Sequence, residues 1–308
     1  MLTNGIFLRN FNIKKSALKP KKILNLIFKE NDHVLMSLKK GYKISFSKKN
    51  LYKHKKFSNL RLIGIGGSIL GAQAIYNFLK HKIKKNVIFV DNLQLKKKTN
   101  KKKYLNLVVS KSGNTIETIV NSNIYIKKND NNIFITENKK SYIHNLGKKL
   151  KAEIIHHNNF IGGRYSVLSE VGMVPAELMG LSSNKFKQFN LLIKNKKFLN
   201  SLIDSAASHL YFIKKRKFNS VILNYDESSD SLLKWYQQLI AESLGKNKVG
   251  LLPIISNMPK DNHSVMQLYL DGFQNNFFTF FYVKEKNSDT IKNNTILPSH
   301  NYLKNKNI

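Results

Sequence analysis

Regular patterning begins near Leu60. Arg61 to Ile65 reads as a short buried strand, followed by a glycine turn and a helix over Ser68 to Leu79. Further strand-length apolar runs lie at Asn86 to Val90, Tyr104 to Val109, Asn132 to Thr136 and Ala152 to His156. A helix is predicted from about Thr115, and a lysine-rich one ahead of Ala152. Apolar runs joined by helix-length connections predict an α/β unit, a parallel sheet with helices on both faces. Residues 183–217 read as helical, and the strand–helix pattern then restarts. Ser220 to Asn224 is a strand, Ser228 to Leu244 a long helix, and Val249 to Ile255 and Phe277 to Val283 supply two more strands. Upstream, the spacing of Ile23, Leu24, Leu26 and Ile27 predicts a helix in a mixed segment without evident chemistry. The division expected is therefore 1–58, a first doubly wound unit over 59–182, and a second, incomplete one over 183–308.

Composition narrows the class. At 308 residues the chain has room for two domains of ~150 residues, and 42% hydrophobic content is enough for packed cores. No apolar run reaches the ~20 residues of a membrane-spanning helix, and Met1 to Asn12 lacks the features of a signal peptide. With no cysteine, disulfide frameworks, thiol nucleophiles and cysteine-type zinc sites are excluded. A cytoplasmic protein without membrane association is expected. The net charge of +35 invites a nucleic-acid reading, but only Arg9, Arg61, Arg164 and Arg216 are arginine among 53 basic residues. Sequence-reading proteins lean on arginine for bidentate contacts. Lysine spread along the whole chain reads instead as a solvated surface, so no nucleic-acid partner is expected. Such a field would still favour an anionic small substrate.

Candidate chemistry lies in five segments. GIGGSILG (64–71) and SKSGNTIET (110–118) each stand between a predicted strand and a helix. Ligands bind at the carboxyl ends of parallel strands, where helix N-termini offer free N–H groups to anions. Ser110, Ser112 and Thr115 can give hydrogen bonds to a phosphate and Lys111 can add charge, while Ser68 fits either a ligand contact or a helix cap. In GGRYSVLSEVG (162–172) a rare arginine, Arg164, follows two glycines, and a fixed guanidinium suits a developing oxyanion. In QQLIAESLGK (237–246) Gln238 and Glu242 stand four apart on one helix face, beside an apolar stripe containing Trp235. His263, in NHS (262–264), precedes an apolar helical stretch.

Taken in order, these segments resemble the phosphoglucose isomerase family over roughly residues 60–285. The resemblance implies two doubly wound, flavodoxin-like sugar-isomerase domains and interconversion of glucose 6-phosphate and fructose 6-phosphate through a cis-enediol. That places the chain in glycolysis and gluconeogenesis. It implies a phosphate clamp of Ser68, Ser110, Lys111, Ser112 and Thr115, and Arg164 steadying the enediol. Glu242 would transfer the proton beside Gln238, and His263 would open the sugar ring in the neighbouring subunit of a homodimer. No cofactor or metal is implied.

The sequence departs from the family pattern at three places, one of them an N-terminal part shorter than in many members. The family's C-terminal lysine-bearing helix has no counterpart around Lys304 and Lys306, so an incomplete second unit with impaired ring opening is expected. The approach to the histidine reads Met258-Pro-Lys-Asp-Asn-His263 rather than the family's Gly-Thr-x-Gln-His. Two alternatives stay open: a sugar-phosphate-binding protein without catalysis, and an isomerase that also takes mannose 6-phosphate.

Overall fold

Two parallel sheets organise the chain; four of the five segments follow the carboxyl ends of strands, and 237–246 lies at the end of a helix. The structure is a computed structural model and describes residues 5–11, 18–30, 33–93, 102–284, 289–292 and 294–306. Parts of the N-terminal and C-terminal stretches discussed above, residues 1–4, 12–17 and 307–308, lie outside the described residues.

The first sheet contains β1 (Asn59–Ile63), β2 (Asn86–Val90), β3 (Leu105–Val109), β4 (Asn131–Thr136) and β5 (Glu153–His156). Its order is β2-β1-β3-β4-β5, with every neighbouring pair parallel. Helices α1 (Leu70–Phe78), α2 (Ile116–Tyr125), α3 (Tyr142–Lys149) and α4 (Glu170–Leu178) fill the connections and cover the faces. Every position of β3 is buried, as befits a central strand covered on both sides. Leu62, Leu107, Ile133 and Leu178 pack on one face, and Ile63, Val108, Phe134 and Ile143 on the other. Each fully buried aliphatic side chain contributes ~1.5–3 kcal/mol over an exposed one.

This strand order reverses direction between β1 and β3, and ligands bind in the crevice outside such a point. The loops at 64–69 and 110–115 leave β1 and β3 there.

The second sheet contains β6 (Asn219–Asn224), β7 (Leu252–Asn257) and β8 (Asn276–Phe281) in the parallel order β7-β6-β8. It begins the same winding, with its first strand in the centre. A long helix, α5 (Lys196–Lys214), precedes it, α6 (Asp230–Leu244) follows β6, and short α7 (Met266–Asp271) follows β7. Among the described residues no helix is long and apolar enough to cross a membrane.

Most predicted strands fall within two residues of their observed limits. The exception is Val249 to Leu251, predicted as the start of a strand. Asn247 and Lys248 both take positive φ, 53° and 62°, and Lys246 bridges back to Val249. A tight turn therefore occupies this stretch, and β7 starts only at Leu252.

Candidate active site

The loop after β3 brings three hydroxyls together at the N-terminus of α2. Ser110 Oγ lies 3.2 Å from Thr115 Oγ1, and Ser112 Oγ lies 3.5 Å from it. Both separations are long for O–H···O bonds, so the hydroxyls are gathered without satisfying one another. Thr115 is the N-cap residue of α2, yet its side chain makes no capping bond. The loop closes on itself instead: the Gly113 N–H donates to Ser110 Oγ at 3.1 Å, and the Asn114 N–H to Ser112 Oγ at 3.2 Å. Gly113 has φ +69°, and a Cβ there would stand 2.1 Å from Ser141 Oγ, so the tight loop requires glycine. Hydroxyls gathered at a helix N-terminus are chemically suited to an anion, and the group is called the cradle below.

Lys111 is turned elsewhere. Its ammonium donates to the Asn159 carbonyl at 2.6 Å and lies 3.6 Å from Glu137 Oε1. Burial would push the Glu137 carboxyl up, but Lys139, Lys111 and His157 hold it below its usual range. Asn159 belongs to a loop fixed by the buried Glu170, which takes the Asn158 N–H at 3.1 Å and pairs with His157 Nδ1 at 2.8 Å. Burial alone would raise the Glu170 carboxyl; the His157 hydrogen bond and charge, its own backbone N–H and that of Asn158 bring it below its ordinary value. Tyr42 and Lys187 complete this cluster. The Lys187 ammonium sits 4.4 Å from the Tyr42 ring centroid and 3.2 Å from its carbonyl.

The loop after β1 links this cradle to the next group. A Cβ on Gly67 would fall 2.3 Å from the Gly163 carbonyl carbon and 2.6 Å from the Arg164 nitrogen. Only a glycine allows these two backbones to touch. Ser166 Oγ sits at the contact, 2.6 Å from the Gly163 carbonyl oxygen and 3.3 Å from that of Gly67.

Arg164 then meets α6. Its Nη1 donates to Glu242 Oε2 at 3.2 Å, and its Nε donates to Ser243 Oγ at 2.9 Å. Its guanidinium carbon lies 4.5 Å from the centre of the Tyr165 ring, and the Tyr165 hydroxyl pairs with the same Ser243 Oγ at 2.7 Å. Burial pushes the Tyr165 phenol up, but the hydrogen bonds of Ser243 and Arg164 and the charges of Arg164 and Lys246 bring it below its ordinary value. The Trp235 indole N–H donates to the Arg164 carbonyl at 2.9 Å. Gln238 Nε2 donates to Glu242 Oε1 at 2.7 Å, so each carboxylate oxygen has one partner. The Glu242 side chain remains 48% exposed, leaving lone pairs open to a ligand. Gln238 and Glu242 also line a cavity of about 670 Å³ with Gly66, Gln73, Asp91 and Lys234.

With this geometry in place, the comparisons decide the family. The family model described as phosphoglucose isomerase matches residues 42–256. The chain belongs to the phosphoglucose isomerase family. It is similar to glucose-6-phosphate isomerase of Methanocaldococcus jannaschii, 35% identical across 81% of this chain and 67% of that protein. It is also similar to a probable glucose-6-phosphate isomerase of Methanococcus maripaludis, 33% identical across 76% of this chain and 59% of that one. The chain thus spans about three-fifths to two-thirds of the length of these relatives. Among solved structures, a hypothetical protein of Thermus thermophilus superposes with a TM-score of 0.77 at 21% identity, over 95% of this chain and 76% of that one. That likeness establishes the fold.

For this family member, the residues singled out in the sequence divide into three groups. Ser110, Ser112 and Thr115 form the cradle, and Arg164, Gln238 and Glu242 form the second cluster. Ser68 closes the turn Gly66–Ser68 and does not cap α1, whose N-cap is Ile69 without a side-chain capping bond. Lys111 adjoins the cradle with its ammonium engaged on Asn159 and Glu137. His263 is exposed at the end of the turn Lys260–Asn262, and α7 begins only at Met266. Among the described residues no hydrogen bond or ion pair joins His263 to the Arg164–Glu242 cluster. Its neighbour Asp261 anchors the turn through Ser256 at 2.7 Å, and that hydrogen bond, with those of the Asn257 N–H and Ser264, draws the Asp261 carboxyl below its usual value.

Sequence reasoning assigned no role to Trp235 beyond the apolar stripe, and none to Ser243 or Tyr165. The one usable signal was spacing: Trp235 and Glu242 are seven apart, two turns along one face of α6.

Proposed function

We propose that this chain is an aldose–ketose isomerase that interconverts glucose 6-phosphate and fructose 6-phosphate through a cis-enediol. The observation that carries the reading is the half-exposed carboxylate of Glu242, held between Arg164 Nη1 and Gln238 Nε2. Moving a proton between C2 and C1 needs one base that reaches both carbons, and an open carboxylate with its position fixed from both sides suits that task. The enediol gains negative charge as it forms, and the Arg164 guanidinium stands beside the base to meet it. The phosphate is assigned to the hydroxyls of Ser110, Ser112 and Thr115 and the N-terminus of α2, with Ser68 and Lys111 at its margins. Binding energy from that remote group fixes the reacting carbons against Glu242. The curated relatives named as glucose-6-phosphate isomerases support the same chemistry.

His263 is proposed to act in ring opening from a second copy of the chain, in a cytoplasmic homodimer. Its exposure, and its lack of a bond to the Arg164 cluster among the described residues, support a role across an interface. The imidazole is suited to carry a proton near neutral pH.

The test is Glu242→Gln. Amide for carboxylate keeps the shape and removes the base, so turnover should fall by ~10²–10⁴ while fructose 6-phosphate still binds. Exchange of solvent deuterium into the sugar at C1 or C2 should disappear with it. Near-normal exchange in the variant would remove Glu242 from the proposed role.

A further inference from the structure

We infer that Ser243 is a positioning residue for Arg164, holding the guanidinium so that it serves the reacting oxygens instead of collapsing onto Glu242. This rests on the isomerase reading above and extends it to a residue outside the proton transfer itself.

A guanidinium left free beside a carboxylate tends to pair with it through two parallel N–H···O bonds. Such a fork would engage both oxygens of Glu242 and use up the donors that an enediolate needs. The observed contact has a single tooth, Nη1 to Oε2 at 3.2 Å. The Nε–H, which would form the side-on fork, is committed to Ser243 Oγ at 2.9 Å. The other carboxylate oxygen is held by Gln238 at 2.7 Å. Ser243 therefore turns the Nε edge away from the base, while Gln238 withholds Oε1 from a fork by the two Nη groups.

Three further contacts make this orientation specific. The Tyr165 hydroxyl meets Ser243 Oγ at 2.7 Å, so the serine hydroxyl is itself fixed. The Tyr165 ring supports the guanidinium from one face at 4.5 Å. The Trp235 N–H fixes the Arg164 carbonyl, so backbone and side chain of one residue are both tied to α6. Nε is on Ser243, one Nη1 hydrogen is on Glu242 and the Tyr165 hydroxyl draws on the same guanidinium, which leaves further Nη hydrogens for a ligand oxygen. Glu242 and Ser243 are adjacent in the chain, so base and positioner move as one unit with the end of α6.

The experiment compares Ser243→Ala and Ser243→Thr with the parent chain, using two readouts. The first is steady-state isomerisation of fructose 6-phosphate. Ser243→Ala should lower kcat by roughly tenfold or more with KM changed less than about twofold, because the interaction lost matters mainly in the transition state. Ser243→Thr keeps the oxygen and should recover most of kcat. The second is the arginine Nε–H NMR signal. The chain has four arginines, and Arg164→Lys identifies the resonance by its disappearance. That proton should exchange slowly with water in the parent chain and in Ser243→Thr, and quickly in Ser243→Ala. Unchanged exchange in Ser243→Ala overturns the inference whatever the kinetics. A parent chain that does not turn over sugar phosphate defeats the isomerase reading, and the exchange measurement still decides the positioning of Arg164. Equal loss of kcat in the alanine and threonine variants would also overturn it, since the oxygen would then be irrelevant.

Discussion

The two sheets begin with the same winding and differ in how they are held. In the first, β3 is buried throughout, and Phe134 at the centre of β4 is wholly inaccessible. In the second, alternate residues of β8 face outward, with Phe278 41% and Phe280 64% exposed. The first sheet fixes its loops by packing on both faces. The second contributes one helix, seated on the first unit by Trp235 against the cluster of Ile75 and Val167 and by polar contacts: Asn77 to Ser231 at 2.6 Å, Trp235 to the Arg164 carbonyl, and Arg164 to Glu242 and Ser243. The candidate site thus joins a hydroxyl loop carried by the first sheet to a side-chain cluster seated by a few hydrogen bonds and the packing of Trp235.

Paired substitutions sharpen this contrast. Phe134→Ala opens a cavity in a core that cannot collapse and should cost ~3–5 kcal/mol. Phe280→Ala on the open face of β8 should stay within ~0.5 kcal/mol. Urea denaturation of the two variants measures both, and equal losses would break the distinction. Thr115→Ala tests the cradle alone. It removes one hydroxyl from the cluster and should weaken 6-phosphogluconate binding by ~1.5–3 kcal/mol, the range for a hydrogen bond to a charged group. Binding of unphosphorylated glucose should not change, and calorimetry that finds equal effects on both sugars would move the phosphate elsewhere.

The smallest effect concerns charge buried beside the first sheet. Lys187 is only 4% exposed, and burial brings its ammonium down to about 8 from 10.5, against the opposing pull of Glu170. Between about pH 8 and 10.5 the unfolded chain holds this proton more tightly than the folded one, so folded stability rises with pH across that window. The penalty is fully present below about pH 8. Tyr42 acts in the opposite sense at higher pH. Burial and Glu170 raise its phenol to about 12, so its contribution is lost only above its ordinary value of 10. The stability of Lys187→Met relative to the parent should therefore be highest near pH ~7.5 and fall toward pH ~9.5. A difference in melting temperature that stays constant over this range would contradict it.

Much of this architecture was legible in the residues. The first-sheet strands announce themselves as apolar runs because a strand covered on both faces has no polar side to alternate with. The cradle could be read because its three hydroxyls lie within six residues, on one strand–helix loop. Val249 to Leu251 misled because apolar residues there pass through a turn whose positive φ values fall on Asn247 and Lys248, just upstream. Lys111 illustrates another limit. Its position beside the cradle followed from sequence, but its direction is set by Asn159 and Glu137, which arrive from the ends of other strands. Ser243 was visible next to Glu242, yet its partner Arg164 lies on a distant loop, and spacing within one helix cannot name what the facing loop presents.

The contact of Gly67 with Gly163 has a consequence for the order in which the molecule assembles. Its two residues are separated along the chain by four strands, β2 to β5, so it is a long-range closure whose entropy is lost before its contacts are gained. The hydroxyl loop leans on Thr136, Ser141 and Ile143, nearer along the chain, so it closes over shorter loops. Arg164 reaches Glu242 only when the returning segment has docked and α6 has followed it. In an assembling chain the hydroxyl loop can therefore be in place before Arg164 and Glu242 meet.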